Sequence, residues 1–308
     1  MVGLLKEDSD IYKYTGIIVN GKTFVSMDRT NLSSVKSLYS EDWVKFSDVM
    51  DKLSNQSSLD ISYLNRTIAT HDVVEFQRAH IRNPSNPPGS IIEGSVSFGR
   101  FTSQMDVYLM LSYDLINGCL DSNDASLREL TYELAHCHLI SIFTNSPNKD
   151  IIKHHPGLNG PKENQYKSII CLWDEYQAER RAAMAYPKRN QSFLKHINAE
   201  MDKFEKWLTI CPPVGHEWKY SLISIIEQLL MYELGHNHAV GNFSLTIQSM
   251  IDGRPQCQAQ FQTKLQLFES ELNRIFTNCP DTTELKEFDP LRRLYLDLVA
   301  SLNSRLSK

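Results

Sequence analysis

Paired cysteines are the first thing missing from this sequence. The chain has 308 residues and six cysteines, Cys119, Cys137, Cys171, Cys211, Cys257 and Cys279. None forms a Cys-x-x-Cys pair, which argues against a thiolate zinc ribbon and against a disulfide scaffold. They are expected to be buried, reduced thiols. Long apolar runs are missing too: nothing approaches the roughly 18–20 residues that span a bilayer. The opening "MVGLLKEDSDIYKY" turns charged before a signal-peptide core can form, so the expectation is a cytoplasmic protein with no membrane partner. There is no GxxxxGK, no GxGxxG after a strand and no GxSxG, which removes the usual phosphate-binding and serine-hydrolase signals. Positive charge is also short. Lys and Arg number 32 against 37 Asp and Glu, for a net charge of −5, and no nucleic-acid partner is predicted. The densest basic cluster, Arg180, Arg181, Lys188 and Arg189, reads as a solvated helix face or, less simply, a small binding patch.

What is present is a globular composition, 41% hydrophobic and 22% charged, with a change of character along the chain. "GIIVNGKTFVSM" puts Asn20-Gly21 between two β-prone runs, the signal of a type I′ hairpin. "EDWVKFSDVMDKLS" has an acidic opening and helical spacing at Trp43, Phe46, Val49 and Leu53. After the turn-rich "RNPSNPPGS" (82–90), "IIEGSVSFGRF" and "MDVYLMLSYDLI" read as strands. From 122 onward helices are predicted at about 124–143, 167–186, 190–209, 217–240, 258–278 and 289–306. Breaks at Pro147, Pro156, Gly157, Gly160 and Pro161, at "CPPVG" (211–215) and at "NCPDTT" (278–283) separate them. The predicted class is α+β, with an N-terminal mixed strand and helix region, a small sheet, and a largely helical C-terminal bundle. A soft boundary near 187–190 divides it into 1–187 and 188–308, or the two form a single domain.

The chemistry is concentrated in "LRELTYELAHCHLI" (127–140). Residues at i and i+4 share a helix face, so two ligands at that spacing can grip one ion while a carboxylate at i+1 takes a proton from metal-bound water. Here Glu133 holds the base position, His136 the second ligand position, and Tyr132 stands where a first histidine would complete His-Glu-x-x-His. Downstream, "CLWDEYQAERRAA" (171–183) offers Glu175 and Glu179 on one helix face. Possible stand-ins for a missing ligand are Glu129, one stripe below His136, then His138, Glu179, and the loop residues His154 and His155.

Together, "YELAHCH" and "WDEYQAERRAA" resemble the zincin-like metallopeptidases, closest to the bacterial ImmA/IrrE type. The resemblance covers about residues 90–190. It implies a Zn2+ ion held by His136, Glu175 and Tyr132 or a substitute, with Glu133 as general base for peptide hydrolysis. It also implies an edge strand above the cleft, for which "MDVYLMLSYDLI" is the candidate, and a peptide or protein as substrate or partner. The setting it implies is stress response, toxin–antitoxin pairs or phage defence. Because the motif is broken at Tyr132, a second expectation is a catalytically inactive, metal-free interaction protein descended from a peptidase.

A third class follows from a near copy of the motif, "LMYELGHNHAV" (230–240). Two Glu-x-x-His pairs, Glu133/His136 and Glu233/His236, are the pattern of a carboxylate-bridged two-iron helical bundle, with Glu175 or Glu179 and distant Glu75 as further carboxylates. The simpler reading makes His236 a satisfied histidine at the edge of a bundle core. Oligomeric state is not set by the sequence.

Overall fold

The computed structural model describes residues 12–29, 38–80, 93–99, 106–149, 151, 161–189, 193–210, 229–242 and 245–303. The stretch 82–90, His154, His155, the "CPPVG" linker and positions 217–228 of the expected fourth helix lie outside these. The chain is α+β, with a five-stranded mixed sheet in its N-terminal half and helices after it. It divides into two compact units, 1–158 and 159–308. The boundary therefore precedes the helix carrying Glu175, whereas the sequence reading drew it near 187–190.

In the first unit, β1 (Tyr12–Val19) and β2 (Lys22–Arg29) form the expected hairpin. Asn20 and Gly21 have φ of 50° and 78°, the paired positive values that a two-residue type I′ turn requires. Helix α1 (Ser40–Gln56) then crosses over to β3 (Leu64–Thr70), parallel to β2. Helix α2 (Val73–His80) precedes β4 (Gly94–Gly99) and β5 (Asp106–Ser112). The sheet order is β1-β2-β3-β5-β4, with β5 parallel to β3 and β4 antiparallel to β5. Neighbouring strand residues point to opposite faces, and both faces are used. Phe24 meets Trp43 of α1, ring centroids 5.1 Å apart. Val25 packs instead on the cluster of Ile68, Val73, Phe76, Tyr108 and Met110, which brings α2 to the other face.

Three expectations change here. The stretch 105–116 is not one strand: β5 ends at Ser112, and α3 (Tyr113–Leu120) starts at once. The Ser112 hydroxyl accepts the Leu115 amide at 3.1 Å, a side-chain cap. Tyr113, Ile116 and Cys119 are then buried at helical spacing. β5 is an interior strand, lying between β3 and β4, and among the described strands the outer ones are β1 and β4. Finally, β3 and α2 occupy a stretch to which the sequence reading assigned no element. Helix α4 (Asp124–Thr144) follows as predicted and packs with α1 and α3 and against β4 and β5.

The second unit comprises α5 (Pro161–Ala185), α6 (Leu194–Ile210), α7 (Met231–Ala239), α8 (Leu245–Ile251), α9 (Pro255–Asn278), a 3-10 turn at Leu285–Phe288, and α10 (Asp289–Asn303). Trp173 and Tyr176 of α5 stack with Phe276, and Trp173 with Phe288. The α9 N-terminus is closed by Glu205 of α6, whose carboxylate accepts the amides of Gln256 at 3.0 Å and Cys257 at 2.8 Å. First-turn amides have no partner within their own helix, so a carboxylate from a neighbouring helix completes them. Cys119, Cys137 and Cys257 are buried thiols as expected, but Cys171 is exposed and Cys279 half-buried. No helix of the described residues is long and apolar enough to cross a membrane.

Candidate functional site

Helix α4 begins where Asn123 accepts the amides of Ala125 and Ser126 on its side-chain oxygen, at 3.0 and 3.2 Å. From there the helical repeat brings Glu129, Tyr132, Glu133 and His136 onto neighbouring stripes of the helix. Glu133 is buried and lies flat against the first residue of the edge strand. A Cβ at Gly94 would come within 2.8 Å of Glu133 Cγ and 3.0 Å of its Cδ and Oε1. Glycine at 94 is what lets the carboxylate side chain approach the β4 backbone this closely.

Tyr132 is buried and stands edge-on to the half-buried His136, ring centroids 4.5 Å apart and planes at 90°. One turn earlier, burial pushes the Glu129 carboxyl above its ordinary range. The negative charge of Glu93 pushes the same way, while Arg128 and His136 pull it back. Glu93 is placed by its carbonyl, which accepts the Ser112 amide at 2.8 Å. His138 turns away from this group: it is buried, and its Nδ1 accepts the Asp60 amide at 2.8 Å. Glu75 sits on α2, which packs on the sheet face opposite to the α1 layer.

The downstream carboxylates belong to the second unit, where α5 packs against α7. The segment "DEYQAER" thus meets the second motif, "YELGHNH". A Cβ on Gly235 would lie 2.6 Å from the Tyr176 carbonyl oxygen and 3.1 Å from the Arg180 nitrogen, so the two helices touch backbone to backbone there. Glu179 is buried, 3.7 Å from His236 Nδ1 and 3.5 Å from Arg189. Arg189 also pairs with the buried Glu233, whose carboxylate accepts the Phe193 amide as well. Glu175 is half-buried on the same helix.

The three arginines of the basic cluster have separate partners, while Lys188 is exposed. Arg180 donates to Tyr176 and Asn273, Arg181 to Gln177 and Asp281, and Arg189 to Glu179 and Glu233.

Sequence reasoning missed a buried chain next to this cluster. His238, not His236, is the fully packed histidine of α7, with a side chain 1% exposed against 15%. Its Nδ1 lies 2.6 Å from the Tyr176 hydroxyl and its Nε2 2.9 Å from Glu269 of α9. Arg180 donates to the same hydroxyl at 2.7 Å. Burial raises the Tyr176 phenol well above its ordinary value, with Arg180 pulling the other way, so it remains an O–H donor. Nothing local in "GHNHAV" singles out Glu269, which reaches His238 from a distant helix.

Among the candidates, then, Glu129, Tyr132, Glu133 and His136 gather on α4 beneath the edge of the first unit's sheet. Glu179, Glu233 and His236 gather around Arg189 in the second unit. Among the described residues, no three His, Cys, Asp or Glu side chains are placed to hold one metal ion. Compared with protein-family models, with curated proteins and with solved structures, the chain matches none of them.

Proposed function

We propose that the chain is a zincin-related protein whose first unit binds an extended peptide segment of a partner rather than hydrolysing it. The observation that carries this reading is the contact between Tyr132 and His136. Zinc is held by Cys, His, Asp or Glu, whereas here a phenol takes the first ligand place and packs edge-on to the His136 ring, centroids 4.5 Å apart. A phenol beside one imidazole does not fit zinc as the pair stands. The peptidase-like part that remains supports descent from a zincin: a carboxylate at 133 on a helix that packs against an antiparallel edge strand. As the last strand in the sheet order, β4 offers a row of backbone donors and acceptors to which an extended segment adds.

The metal-free reading extends to the second motif. Two irons between Glu179, Glu233 and His236 would have to displace Arg189, whose guanidinium supplies the positive charge between both carboxylates.

Metal analysis of the purified protein, zinc titration, and mass-spectrometric analysis of a peptide library incubated with it test the proposal together. The wild type is expected to carry no stoichiometric zinc and to leave the library intact, while Tyr132→His gains zinc affinity by restoring paired imidazoles. About one zinc per chain, with cleavage that disappears in Glu133→Gln, would replace this reading with an active peptidase. About two irons per chain would replace it with the oxidase-like bundle.

A further inference from the structure

We propose that Asn20 is a site of spontaneous covalent change, where the side chain closes onto the Gly21 nitrogen and ends as aspartate and β-linked isoaspartate. Three Asn-Gly pairs stand in the sequence: Asn20-Gly21, Asn117-Gly118 and Asn159-Gly160. Asparagine is among the thermolabile side chains, and a following glycine, lacking a Cβ, leaves its own nitrogen open to the carboxamide. By sequence the pairs are alike. The fold treats the first two differently, and the third lies outside the described residues.

Asn20 and Gly21 form the exposed tip of the β1–β2 hairpin, whose register ends with Val19 opposite Lys22. The ladder closes outside the pair, so the Gly21 N–H takes no part in it. A Cβ on Gly21 would meet nothing within 4 Å, and the space beside that residue is open to a turning side chain. Asn117 and Gly118 lie instead inside α3. There the Gly118 nitrogen falls within the run of bonds from each N–H to the carbonyl four residues back. The Asn117 carbonyl accepts the Asp121 amide and the Gly118 carbonyl the Asn123 amide, both at 2.9 Å. Gly118 is also tightly packed, since an added Cβ would overlap the Ser126 hydroxyl oxygen. Turning this peptide toward its asparagine side chain requires α3 to open. The same turn at Asn20 disturbs only the end of a hairpin.

The chemistry needs only water and hydroxide. Hydroxide removes the Gly21 amide proton, and the nitrogen attacks Asn20 Cγ. An N–C bond forms, the Cγ–Nδ2 bond breaks, and ammonia leaves with a proton taken from water. Water then opens the cyclic imide at either carbonyl. Cleavage at Cγ restores the chain with aspartate at 20. Cleavage at the backbone carbonyl carbon routes the chain through Cγ, which is isoaspartate. That product adds a backbone atom between Val19 and Lys22, so their pair no longer fits a two-residue loop. Nothing in this inference rests on peptide binding at β4.

The test keeps the full chain folded at mildly alkaline pH for days and follows its proteolytic peptides by mass spectrometry. The mass gain of an amide-to-acid change is expected at Asn20 at least about tenfold faster than at Asn117, because α3 must open first. The altered Asn20 peptide should separate into two species of equal mass, aspartate and isoaspartate. In denaturant, where neither turn nor helix persists, the two rates are expected to agree within about threefold. Equal rates in the folded chain, or a tenfold gap that persists in denaturant, would overturn the assignment. So would an Asn20 peptide that stays unchanged in the folded chain while the denatured chain reacts. No variant is needed, so a failure to fold cannot obscure the result.

Discussion

Gly235 and Tyr176 set the distance between two helices: a methyl group on the first would stand 2.6 Å from the backbone oxygen of the second. A backbone oxygen inside a helix cannot swing aside as a side chain does. Gly235→Ala would normally gain about 1 kcal/mol of helix propensity, yet here it has to push α7 off α5. The expected outcome is a net loss of about 1–3 kcal/mol, read by denaturant unfolding. An unchanged or raised midpoint would show that the helices can separate without cost.

The contact between Gly94 and Glu133 has a different character, because the obstructing atoms belong to a side chain. Gly94→Ala is expected to displace the Glu133 carboxylate instead of the strand. In a double-mutant cycle, Gly94→Ala should cost less in a Glu133→Ala background, with a coupling of at least about 0.5 kcal/mol. Strict additivity of the two substitutions would remove the claim that position 94 shapes the setting of the carboxylate.

Arg189 neutralises two buried acids at once. Replacing it with methionine keeps much of the side-chain length but removes the guanidinium that both Glu179 and Glu233 contact. Removing one partner of a buried ion pair costs about 3–5 kcal/mol, and a loss of that size is expected here. Adding Glu233→Gln to Arg189→Met should recover part of it. If the double variant is no better than the single, the charge explanation fails and packing of the arginine stem remains.

Two carboxylates of the second unit predict its behaviour in strong acid. Asp289 is held below the ordinary carboxylate range by the Tyr166 hydroxyl, 2.5 Å away, and by Arg292. For Glu205, burial pushes upward, but the Gln256 and Cys257 amides outweigh it and the net shift is downward. A carboxylate lowered by folding contributes stability that is complete above its unfolded value of about 4 and is lost as pH falls through the lower native value. Asp289→Asn and Glu205→Gln should therefore flatten the fall in stability below about pH 4, while leaving the interval between about pH 7.5 and 5.5 unchanged. Melts across both intervals check this, and an unaltered acid limb in both variants would contradict it.

Local patterns carried much of this architecture. The Asn20-Gly21 turn needs two positive φ values that few other pairs accept, and it formed where the dipeptide stands. Helix α4 formed where the sequence places it, opened by the Asn123 cap and buried on nearly every side. The stretch around Ser112 misled for a physical reason: alternation continued past the serine, and only its role as a cap converts the next residues to a helix. The placement of motif halves was less legible. Glu175 and Glu179 lie close to "YELAHCH" in sequence, but α5 packs on the second copy of the motif, because Gly235 offers a flat contact that no spacing rule reveals. Within the α4 stripe, the sequence singled out Glu129, Tyr132, Glu133 and His136 as candidates, and the helix places them on neighbouring stripes. It gave no hint that Gly94, from another element, determines how Glu133 lies. His138 had looked like a spare ligand; its commitment to the Asp60 amide depends on a loop 78 residues away.

The division at 158/159 bears on how the protein can be taken apart. A cut at 187, where the sequence suggested a seam, would part Glu179 from Arg189, Tyr166 from Asp289 and Tyr176 from His238. The amino-terminal fragment would then carry a helix stripped of its natural neighbours, with Trp173 and Tyr176 parted from Phe276 and Phe288 and turned toward solvent. Such a fragment should stick to itself or to the tube wall, and dividing the gene after codon 158 instead avoids that fate.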